Sequence, residues 1–407
     1  MTKNICIYFS DSGGGHRSAS DALEAGLLEL LARCPEHHDV KIVKDPIAEK
    51  SNPVNRRFVQ LYNYLLRNHQ PLMKYYYWLL HLLRPESSKA NLKLCLDFFT
   101  NAVKEHAPSV VVSVHPMINH GLAGAMKRNG IKGKVPLACV VTDPNKDLWR
   151  AWGCEDVDWY AAPNDVVKQR LIGWGVDAKN IEITGMSVNP TFLKPSQVTR
   201  QEFLTHLGLA ADQFTICINA GWAGGGNMLK AYQALSRVKR PLQVIFLCGH
   251  NSKLYEKAMA AASESEICTA VLPFHDSMPD LMSSVDLMVT KAGGLTTFEA
   301  VARRLPLAFD LITEPMPQEK GTAEMMIEQK LAYGIHRPDD IIQIAEDFQP
   351  APDRSNVKMP SEHNFDLTDT AVYTIAERVL NMIGITVPAV APTVEAHDEE
   401  PLYVKVS

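Results

Sequence analysis

Short apolar runs alternate with helix-period segments along most of the chain, and this alternation occurs in two successive sets. The runs of the first set are residues 4–9, 40–44, 109–114, 137–142, 159–162 and 181–184. The runs of the second set are residues 214–219, 242–248, 270–272, 285–290 and 307–309. Strands that alternate with helices are joined by right-handed crossovers into parallel sheets covered on both faces. The sequence therefore predicts an α/β fold with two Rossmann-like, doubly wound domains that face a central cleft.

Proline-rich and polar segments predict where the domains begin and end. Residues 189–201 carry two prolines between the two sets of runs. We therefore expect an N-terminal domain over residues 1–195 and a C-terminal domain over residues 196–366. Helical periodicity then predicts a C-terminal helix over residues 367–386. Residues 387–407 are rich in proline and acidic residues and lack periodicity, which predicts a disordered tail.

Composition and cysteine spacing narrow the class of protein. The net charge is -5, so the chain lacks the basic field typical of nucleic-acid binding. The eight cysteines are scattered with no CxxC pair, which indicates a reducing cytoplasm and no zinc site. Asp156 and Asp158 are spaced like metal ligands but stand at the entry to a strand, so we expect no required metal or cofactor. The N-terminal residues do not resemble a signal peptide, and no stretch nears the ~20 apolar residues of a spanning helix.

A glycine-rich loop follows the first predicted strand and leads into a helix-period segment. It reads Asp11-Ser12-Gly13-Gly14-Gly15-His16. Glycine lets a ligand approach the backbone, and a helix start presents free N–H groups, so Gly14 and Gly15 are candidate ligand-binding residues. His16 is placed to take a proton from a hydroxyl group in the cleft. A tight turn capped by a solvated histidine would explain the same residues. Asp143, directly after a predicted strand, is the second candidate for a general base.

Two further glycine-rich loops follow strands of the second set, at the position where βα units bind anions. In the loop over residues 220–227, the candidate ligand-binding residues are Gly224, Gly225, Gly226 and Asn227. In the loop over residues 291–300, the candidate contacts with a diphosphate are Gly293, Gly294, Thr296 and Thr297. Here the glycines would open the backbone, and the threonine hydroxyls would cap the helix and donate to the anion.

Two acidic side chains and one amide lie close to these loops in the sequence. Glu299 is placed to accept from ribose hydroxyls, although an acidic residue in the first helical turn also complements the helix dipole. Gln318 and Glu319, in the polar segment over residues 314–320, could read sugar hydroxyls. An exposed helix start would explain that segment equally well.

Together these segments resemble the lipid glycosyltransferases that make mono- and diglycosyldiacylglycerols in bacteria and monogalactosyldiacylglycerol in chloroplasts. A more distant resemblance is to the N-acetylglucosaminyltransferase of the peptidoglycan lipid pathway. The resemblance covers roughly residues 4–340. It is carried by SDSGGGHRSASDAL, VVTDPNKDLWRAWGCEDVDWYAAPNDVVKQRL, ITGMSVNPTF, GWAGGGN, LCGHN, VTKAGGLTTFEAVARRLP and PMPQEKG. It implies the GT-B fold, inversion at the sugar carbon and a UDP-sugar donor held mainly by the C-terminal domain.

The resemblance also implies roles for individual residues. The loop that begins at Lys291 would contact the diphosphate, Glu299 the ribose, and Gln318 and Glu319 the sugar. His16 matches the functional N-terminal histidine of the family. The implied UDP-sugar site further includes Gly249, Phe274 and His275. Pro317 and Thr322 depart from the glycine and asparagine usual in the family, which leaves the identity of the sugar open.

The segment over residues 53–93 is basic and aromatic. It holds seven Lys or Arg residues against one acidic residue, and Phe58, Leu61, Tyr62, Leu65 and Leu66 are spaced to share one helical face. Such a segment suits docking to an anionic lipid surface, although core-packed helices with snorkelling cations would show the same pattern. The resemblance favours docking, because family members load their lipid acceptor through this insertion. The residues expected at the acceptor or membrane are Arg56, Arg57, Arg67, Tyr76, Trp78, His115 and Trp149.

The expected function is transfer of a hexose from a UDP-sugar to diacylglycerol, by a cytoplasmic protein bound peripherally to the inner face of the cell membrane. His16 or Asp143 would take the proton of the lipid hydroxyl. Three alternatives stay open: a polyprenyl-linked or small-molecule acceptor, an epimerase acting on UDP-N-acetylglucosamine, and a non-catalytic UDP-sugar sensor. The sequence does not choose between glucose and galactose.

Overall fold

The computed structural model describes residues 2–11, 14–37, 39–51, 53–69, 72–83, 88–350, 354, 360 and 362–388. Within these ranges, the side chains at 37, 54, 66–68, 74, 77, 81, 83, 89, 90 and 317 lie outside the description. Arg67 is one of them, so its predicted role at the membrane stays a prediction. The predicted tail lies almost entirely outside the described residues.

The first half of the chain forms a sheet of six parallel strands in the order β2-β1-β3-β4-β5-β6. The strands are β1 (Lys3–Tyr8), β2 (Val40–Asp45), β3 (Val110–Ser113), β4 (Leu137–Val140), β5 (Trp159–Ala162) and β6 (Ile181–Ile183). The helices are α1 (Gly15–Leu31), α2 (Ile47–Lys50), α3 (Pro53–Asn68), α4 (Met73–Leu83), α5 (Lys89–His106), α6 (Asn119–Arg128) and α7 (Asp165–Gly173). Every residue of β3, β4 and β5 is buried, as expected for apolar strands with helices on both faces.

The second half forms another sheet of six parallel strands, in the order β12-β11-β10-β7-β8-β9. The strands are β7 (Thr215–Asn219), β8 (Gln243–Leu247), β9 (Cys268–Leu272), β10 (Leu287–Thr290), β11 (Leu307–Asp310) and β12 (Ala332–Ile335). The helices are α8 (Arg200–His206), α9 (Met228–Leu235), α10 (Ser252–Ser263), α11 (Met278–Ser284), α12 (Gly294–Ala302), α13 (Pro317–Glu328), α14 (Asp340–Asp347) and α15 (Thr368–Met382).

The predicted α/β fold with two parallel sheets is confirmed, and all eleven predicted strands are present. The sequence analysis missed β12, which lies at the edge of the second sheet. Its tyrosine, Tyr333, is 39% exposed and is followed by Gly334, so the strand has no continuous apolar run. None of the described helices is long and apolar enough to cross a membrane.

The two halves are tied together by the linker and by the C-terminal helix. Arg303 donates to the main-chain oxygens of Thr191 and Lys194, at 2.7 and 2.6 Å, and so holds the linker against α12. Helix α15 returns to the first half and packs on α1, where the Tyr373 hydroxyl donates to Glu29 at 2.9 Å. Val387, expected to open the disordered tail, is instead buried in the core shared by α1, α15 and the first sheet. That expectation was wrong because one apolar residue after a helix shows no periodicity.

Candidate active site

A cavity of about 390 Å³ connects the insertion helices α3, α4 and α5 with the carboxyl ends of β1, β3 and β4. Most of its wall is apolar, and its aromatic and aliphatic lining includes Phe58, Tyr62, Tyr76, Leu80 and Phe99. Its polar end is lined by His16, His115, Asp143, Trp149 and Gln318. Gln318 belongs to the second half of the chain, so the polar end lies where the two halves meet. The structure thus brings together in one cavity both candidate bases, three predicted acceptor residues (Tyr76, His115 and Trp149) and one predicted sugar contact.

His16 lies in the first turn of α1, where the loop after β1 ends. Its Nδ1 is 2.8 Å from the carbonyl oxygen of Val114, which can only accept a hydrogen bond. The ring proton therefore sits on Nδ1, and Nε2 keeps its lone pair. Burial lowers the pKa of His16 from 6.5 to about 4, against a smaller opposing effect of the Val114 hydrogen bond. His16 is therefore a neutral proton acceptor at neutral pH.

His115 packs against His16 with the opposite tautomer. The two ring centroids are 4.2 Å apart, and the rings meet edge to face. The Nδ1 atom of His115 accepts from the Met117 N–H at 3.2 Å, which puts the ring proton on Nε2. Burial, and secondarily the neighbouring His16, lowers the pKa of His115 well below its usual value. The cavity wall therefore carries one imidazole that accepts and one that donates.

Asp143 follows β4 and lines the same cavity. Its Oδ2 accepts from Nε1 of the buried Trp152 at 2.7 Å, which fixes the carboxyl group. Burial raises the pKa of Asp143, and the Trp152 hydrogen bond partly opposes that shift. The carboxyl group is thus within the site but already holds one partner.

The first glycine loop meets the second half of the chain. Gly14 has φ +86°, and a Cβ there would lie 3.3 Å from Cγ of Trp222. A Cβ on Gly15 would meet no atom within 4 Å, so the backbone at this residue is open. Of the two predicted ligand-binding glycines, Gly15 has space for a ligand beside its backbone. Gly14 instead allows the Trp222 side chain to pack closely against the loop.

The second glycine loop is shaped by contacts within the protein. A Cβ on Gly224 would lie 2.2 Å from the carbonyl oxygen of Cys248, and one on Gly249 would lie 2.1 Å from that of Gly221. The N–H groups of Gly224 and Gly225 donate to Gly221 and Ala220, at 3.0 Å each. These two N–H groups therefore have partners within the protein, and ligand binding by Gly224, Gly225, Gly226 and Asn227 stays a prediction. Packing of two loops against each other already requires glycine here.

Asp310, at the carboxyl end of β11, anchors that loop and was missed in the sequence analysis. Its Oδ2 accepts from the Asn227 N–H at 2.7 Å, and its Oδ1 accepts from the Asn227 side-chain amide at 3.2 Å. A Cβ on Gly226 would lie 2.8 Å from the same carboxylate. Asn227 and Gly226 thus hold the loop in place through Asp310. The available signal was an acidic residue directly after a buried apolar strand.

The third glycine loop leads into α12 and presents open backbone at one residue. A Cβ on Gly293 would meet no atom within 4 Å, whereas one on Gly294 would lie 2.7 Å from the carbonyl oxygen of Thr142 in the first half. Thr296 is half-buried, but Thr297 is fully buried. Gly293 therefore has open space for a ligand, and the ligand contacts of Thr296 and Thr297 stay predictions.

Two half-buried carboxyl groups lie beside this loop. Burial raises the pKa of Glu299 from 4.5 to about 7. Burial also raises the pKa of Glu319, and the charge of nearby Lys291 partly opposes that shift. Both carboxyl groups would be stabilised by a ligand that donates hydrogen bonds to them.

An aromatic row lies at the rim of the second half. Phe274 is 43% exposed and stacks on His250, with ring centroids 4.4 Å apart. His250 meets Trp222 edge to face at 5.3 Å. His275 instead packs edge to face on Phe203 of α8. Phe274 and His275 are adjacent and were both predicted to bind the donor, but their side chains lie in different surroundings.

The insertion helices separate residues that the sequence analysis grouped together. On α4, Trp78 is 63% exposed, whereas Tyr76 lines the cavity and its ring lies near those of Phe58 and Tyr62. Leu61 was predicted to share one helical face with Phe58 and Tyr62, which line the cavity, but Leu61 is 44% exposed. Among the side chains that the structure describes here, the exposed large apolar ones are Leu61, Tyr64, Leu72, Tyr75, Trp78, Leu82 and Leu94. Arg56 and Arg57 are also exposed on α3.

The Asp156 and Asp158 pair has structural partners. Asp156 pairs with Lys127 at 2.7 Å, and Asp158 pairs with Lys132 and accepts from the Leu137 N–H at 2.8 Å. Within the described part of the chain, no group of three metal-ligating side chains is close enough to hold a metal ion.

Two family models match the chain in the order of its two sheets. The model described as monogalactosyldiacylglycerol (MGDG) synthase matches residues 16–188. The model described as glycosyltransferase family 28 C-terminal domain matches residues 227–326.

Relatives and a solved structure agree with these matches. Monogalactosyldiacylglycerol synthase 1 of Arabidopsis thaliana is 25% identical over 86% of this chain, which spans 65% of that relative, just under two thirds. The processive diacylglycerol beta-glucosyltransferase of Bacillus pumilus is 24% identical over 84% of this chain and 85% of its own length. The crystal structure of Acinetobacter baumannii MurG matches with a TM-score of 0.57 and 14% identity, covering 93% of this chain and 99% of its own, and shows the GT-B fold. Along both of its halves the chain is thus similar to glycosyltransferases, with monogalactosyldiacylglycerol synthases and a diacylglycerol glucosyltransferase among its relatives.

Proposed function

We propose that this protein is an inverting glycosyltransferase that moves a hexose from a UDP-sugar to diacylglycerol. The observation that carries the proposal is the cavity, which is apolar along α3, α4 and α5 and ends at His16, His115, Asp143 and Gln318. An acyl-bearing acceptor would lie along the apolar wall and place its single hydroxyl at the polar end. The names of the plant and bacterial relatives support a diacylglycerol acceptor.

The donor is assigned to the second half of the chain. The diphosphate would lie at the N-terminus of α12, where Gly293 has open backbone and the helix dipole favours an anion. Glu299 would accept hydrogen bonds from the ribose hydroxyls. Gln318 and Glu319 would form hydrogen bonds with the sugar hydroxyls. The flat face of Phe274, stacked on His250, offers a surface for the uracil ring.

In the proposed mechanism, His16 is the general base. The acceptor hydroxyl gives its proton to Nε2 of His16 as its oxygen bonds to the anomeric carbon, and the bond from that carbon to UDP breaks on the opposite face. The N-terminus of α12 would stabilise the charge on the departing diphosphate. His16 is preferred over Asp143 because its Val114 hydrogen bond leaves Nε2 as an acceptor, whereas Asp143 already accepts from Trp152.

The protein is proposed to act at a membrane surface. The insertion exposes apolar side chains and the two arginines on the same helices that enclose the cavity. Exposed aromatic groups would enter the interface, and the arginines would attract anionic headgroups. A diacylglycerol molecule could then reach the cavity from the bilayer. We place the protein on the inner face of the cell membrane.

One experiment separates this function from its alternatives. Purified protein would be incubated with diacylglycerol liposomes and a panel of UDP-sugars, and lipids and nucleotides would be read by mass spectrometry. The proposal predicts a hexosyl-diacylglycerol and one UDP for each. UDP-sugar binding with no product would identify a sensor, and a changed sugar still bound to UDP would identify an epimerase. Turnover only with a polyprenyl-linked or soluble acceptor would overturn the assigned acceptor.

A further inference from the structure

A buried asparagine, Asn145, links the two halves of the chain beside the polar end of the cavity. It is 3% exposed and lies two residues after Asp143, in the loop that follows β4. Its Nδ2 donates to the carbonyl oxygen of Gln318 at 2.7 Å and to the Thr322 hydroxyl at 2.9 Å. Its Oδ1 accepts from the Asp147 N–H at 2.9 Å. The Asn145 amide therefore binds its own loop through Oδ1 and the start of α13 through Nδ2.

The helix on the far side is built to receive this amide. A Cβ on Gly321 would lie 2.4 Å from Oδ1 of Asn145, so a larger residue would push the two halves apart. The Thr322 hydroxyl accepts from Asn145 and itself donates to the Gln318 oxygen at 2.9 Å. Asn145, Gln318 and Thr322 thus form a closed set of hydrogen bonds, which we call the Asn145 clasp.

The clasp joins groups that serve different substrates under the proposed function. The Gln318 side chain is assigned to the donor sugar, whereas Asp143 and the loop after β4 line the acceptor cavity. Fixing the main chain of Gln318 relative to that loop therefore fixes the donor relative to the acceptor. Catalysis of a two-substrate reaction depends on this distance, and a misplacement of about 1 Å can cost ~10²-fold in rate.

We propose that Asn145 is a positioning residue that aligns the donor sugar with the acceptor hydroxyl. The inference rests on the proposed function. Both N–H groups of the Asn145 amide donate to protein partners and its oxygen accepts from Asp147, so we assign it no contact with either substrate. Its removal should leave UDP-sugar bound but poorly aligned, so that water competes with the lipid hydroxyl. The signature is a split between lipid transfer and UDP-sugar hydrolysis.

The test measures glycolipid formation, UDP-sugar hydrolysis and UDP affinity for the wild-type protein, Asn145→Ala and Thr322→Val. We expect Asn145→Ala to lower kcat for transfer ~10²-fold, to raise the ratio of hydrolysis to transfer, and to leave the Kd for UDP unchanged. Thr322→Val keeps the bond from Asn145 to the Gln318 oxygen but removes both clasp bonds of the Thr322 hydroxyl, and should shift the ratio in the same direction. The double variant should be no worse than Asn145→Ala, because both changes act on the Gln318 oxygen.

Asn129→Ala is the matched control, since it removes an amide that donates to the Thr100 oxygen at 2.9 Å within the first half alone. It should leave the ratio of hydrolysis to transfer unchanged. If Asn145→Ala loses UDP affinity and thermal stability in step with kcat, at an unchanged ratio, the residue is only structural and the inference is overturned. Normal transfer by Asn145→Ala would also overturn it. Absence of any wild-type glycolipid would overturn the proposed function instead, and this inference would fall with it.

Discussion

His16 and His115 meet edge to face at 4.2 Å with their ring protons on opposite nitrogens, because one donates to a carbonyl oxygen and the other accepts from an N–H group. Both rings line the cavity that also holds Asp143 and Gln318. A hydroxyl group at this end of the cavity could donate to the lone pair of His16. This relationship supports a base that is neutral before the reaction begins.

The first prediction concerns the base. His16→Ala should lower the rate of glycolipid formation by ~10²–10⁴-fold, while the Kd for UDP measured by calorimetry stays close to wild type. His336→Ala, which removes an exposed histidine of the second half, is the control and should keep full activity. If His16→Ala stays active while Asp143→Asn is inactive, Asp143 is the base.

The second prediction concerns the pH dependence of donor binding. Burial raises the pKa of Glu299 to about 7, and hydrogen bonds from ribose hydroxyls favour the ionised carboxylate. UDP affinity should therefore increase as the pH rises through about 7, and Glu299→Gln should remove this part of the increase. Without ligand the sign is opposite: the folded state holds the proton to higher pH than the unfolded chain, so the free energy of unfolding falls as the pH rises from 4.5 to about 7.

Calorimetry with UDP and UDP-sugar across this pH range checks the assignment. Glu299→Gln should weaken both ligands by ~1–3 kcal/mol at high pH, whereas Gln318→Ala should weaken only the sugar-bearing one. Equal UDP affinity in wild type and Glu299→Gln at every pH would refute the ribose contact.

The third prediction concerns membrane binding. Arg56 and Arg57 are exposed, and their attraction to anionic lipid is screened over ~8 Å at physiological ionic strength. Burial of Tyr75 and Trp78 in the interface does not depend on salt in this way. In co-sedimentation, the double change of both arginines to Gln should remove the salt-sensitive part of binding to anionic liposomes. Changing Tyr75 and Trp78 to Ser should remove the remainder. Equal binding to neutral and anionic liposomes by the wild-type protein would contradict the role of the arginines.

The fourth prediction uses two neighbouring tyrosines on opposite sides of α4. Tyr76 lines the cavity, whereas Tyr75 is 60% exposed. Tyr76→Ala should raise KM for diacylglycerol with little change in liposome binding, because it enlarges the acceptor cavity. Tyr75→Ala is its matched control and should weaken liposome binding instead. The same effect from both changes would show that the cavity and the outer surface do not act separately.

The strands were predictable because each is an apolar run bounded by polar or glycine-rich sequence, as β3 and β10 show. The exceptions have local causes. The edge strand β12 contains exposed Tyr333 and has no apolar run. Leu61 fits the apolar period of α3 but is 44% exposed, because the pattern of one helix does not show which part of its apolar face a neighbouring element covers.

The lining of the candidate site was predictable where a residue stands directly after a predicted apolar run, as His115 and Asp143 do. The roles of the glycines were not, because Gly224 and Gly249 are required by each other's loops, which lie far apart in sequence. The Asn145 clasp depends on the approach of two domains, so neither Asn145 nor Thr322 stands out along the chain. Tyr75 and Tyr76 likewise differ only in the side of α4 on which they lie.

The most direct test of the account is the anomeric configuration of the lipid product. Diacylglycerol liposomes would be incubated with the protein and an α-linked, carbon-13-labelled UDP-hexose, and the extracted lipid would be examined by NMR. The account predicts a β-linked hexosyl-diacylglycerol, formed by wild-type protein and lost in His16→Ala. An α-linked product, or labelled sugar recovered only as UDP-hexose or free hexose, would contradict it.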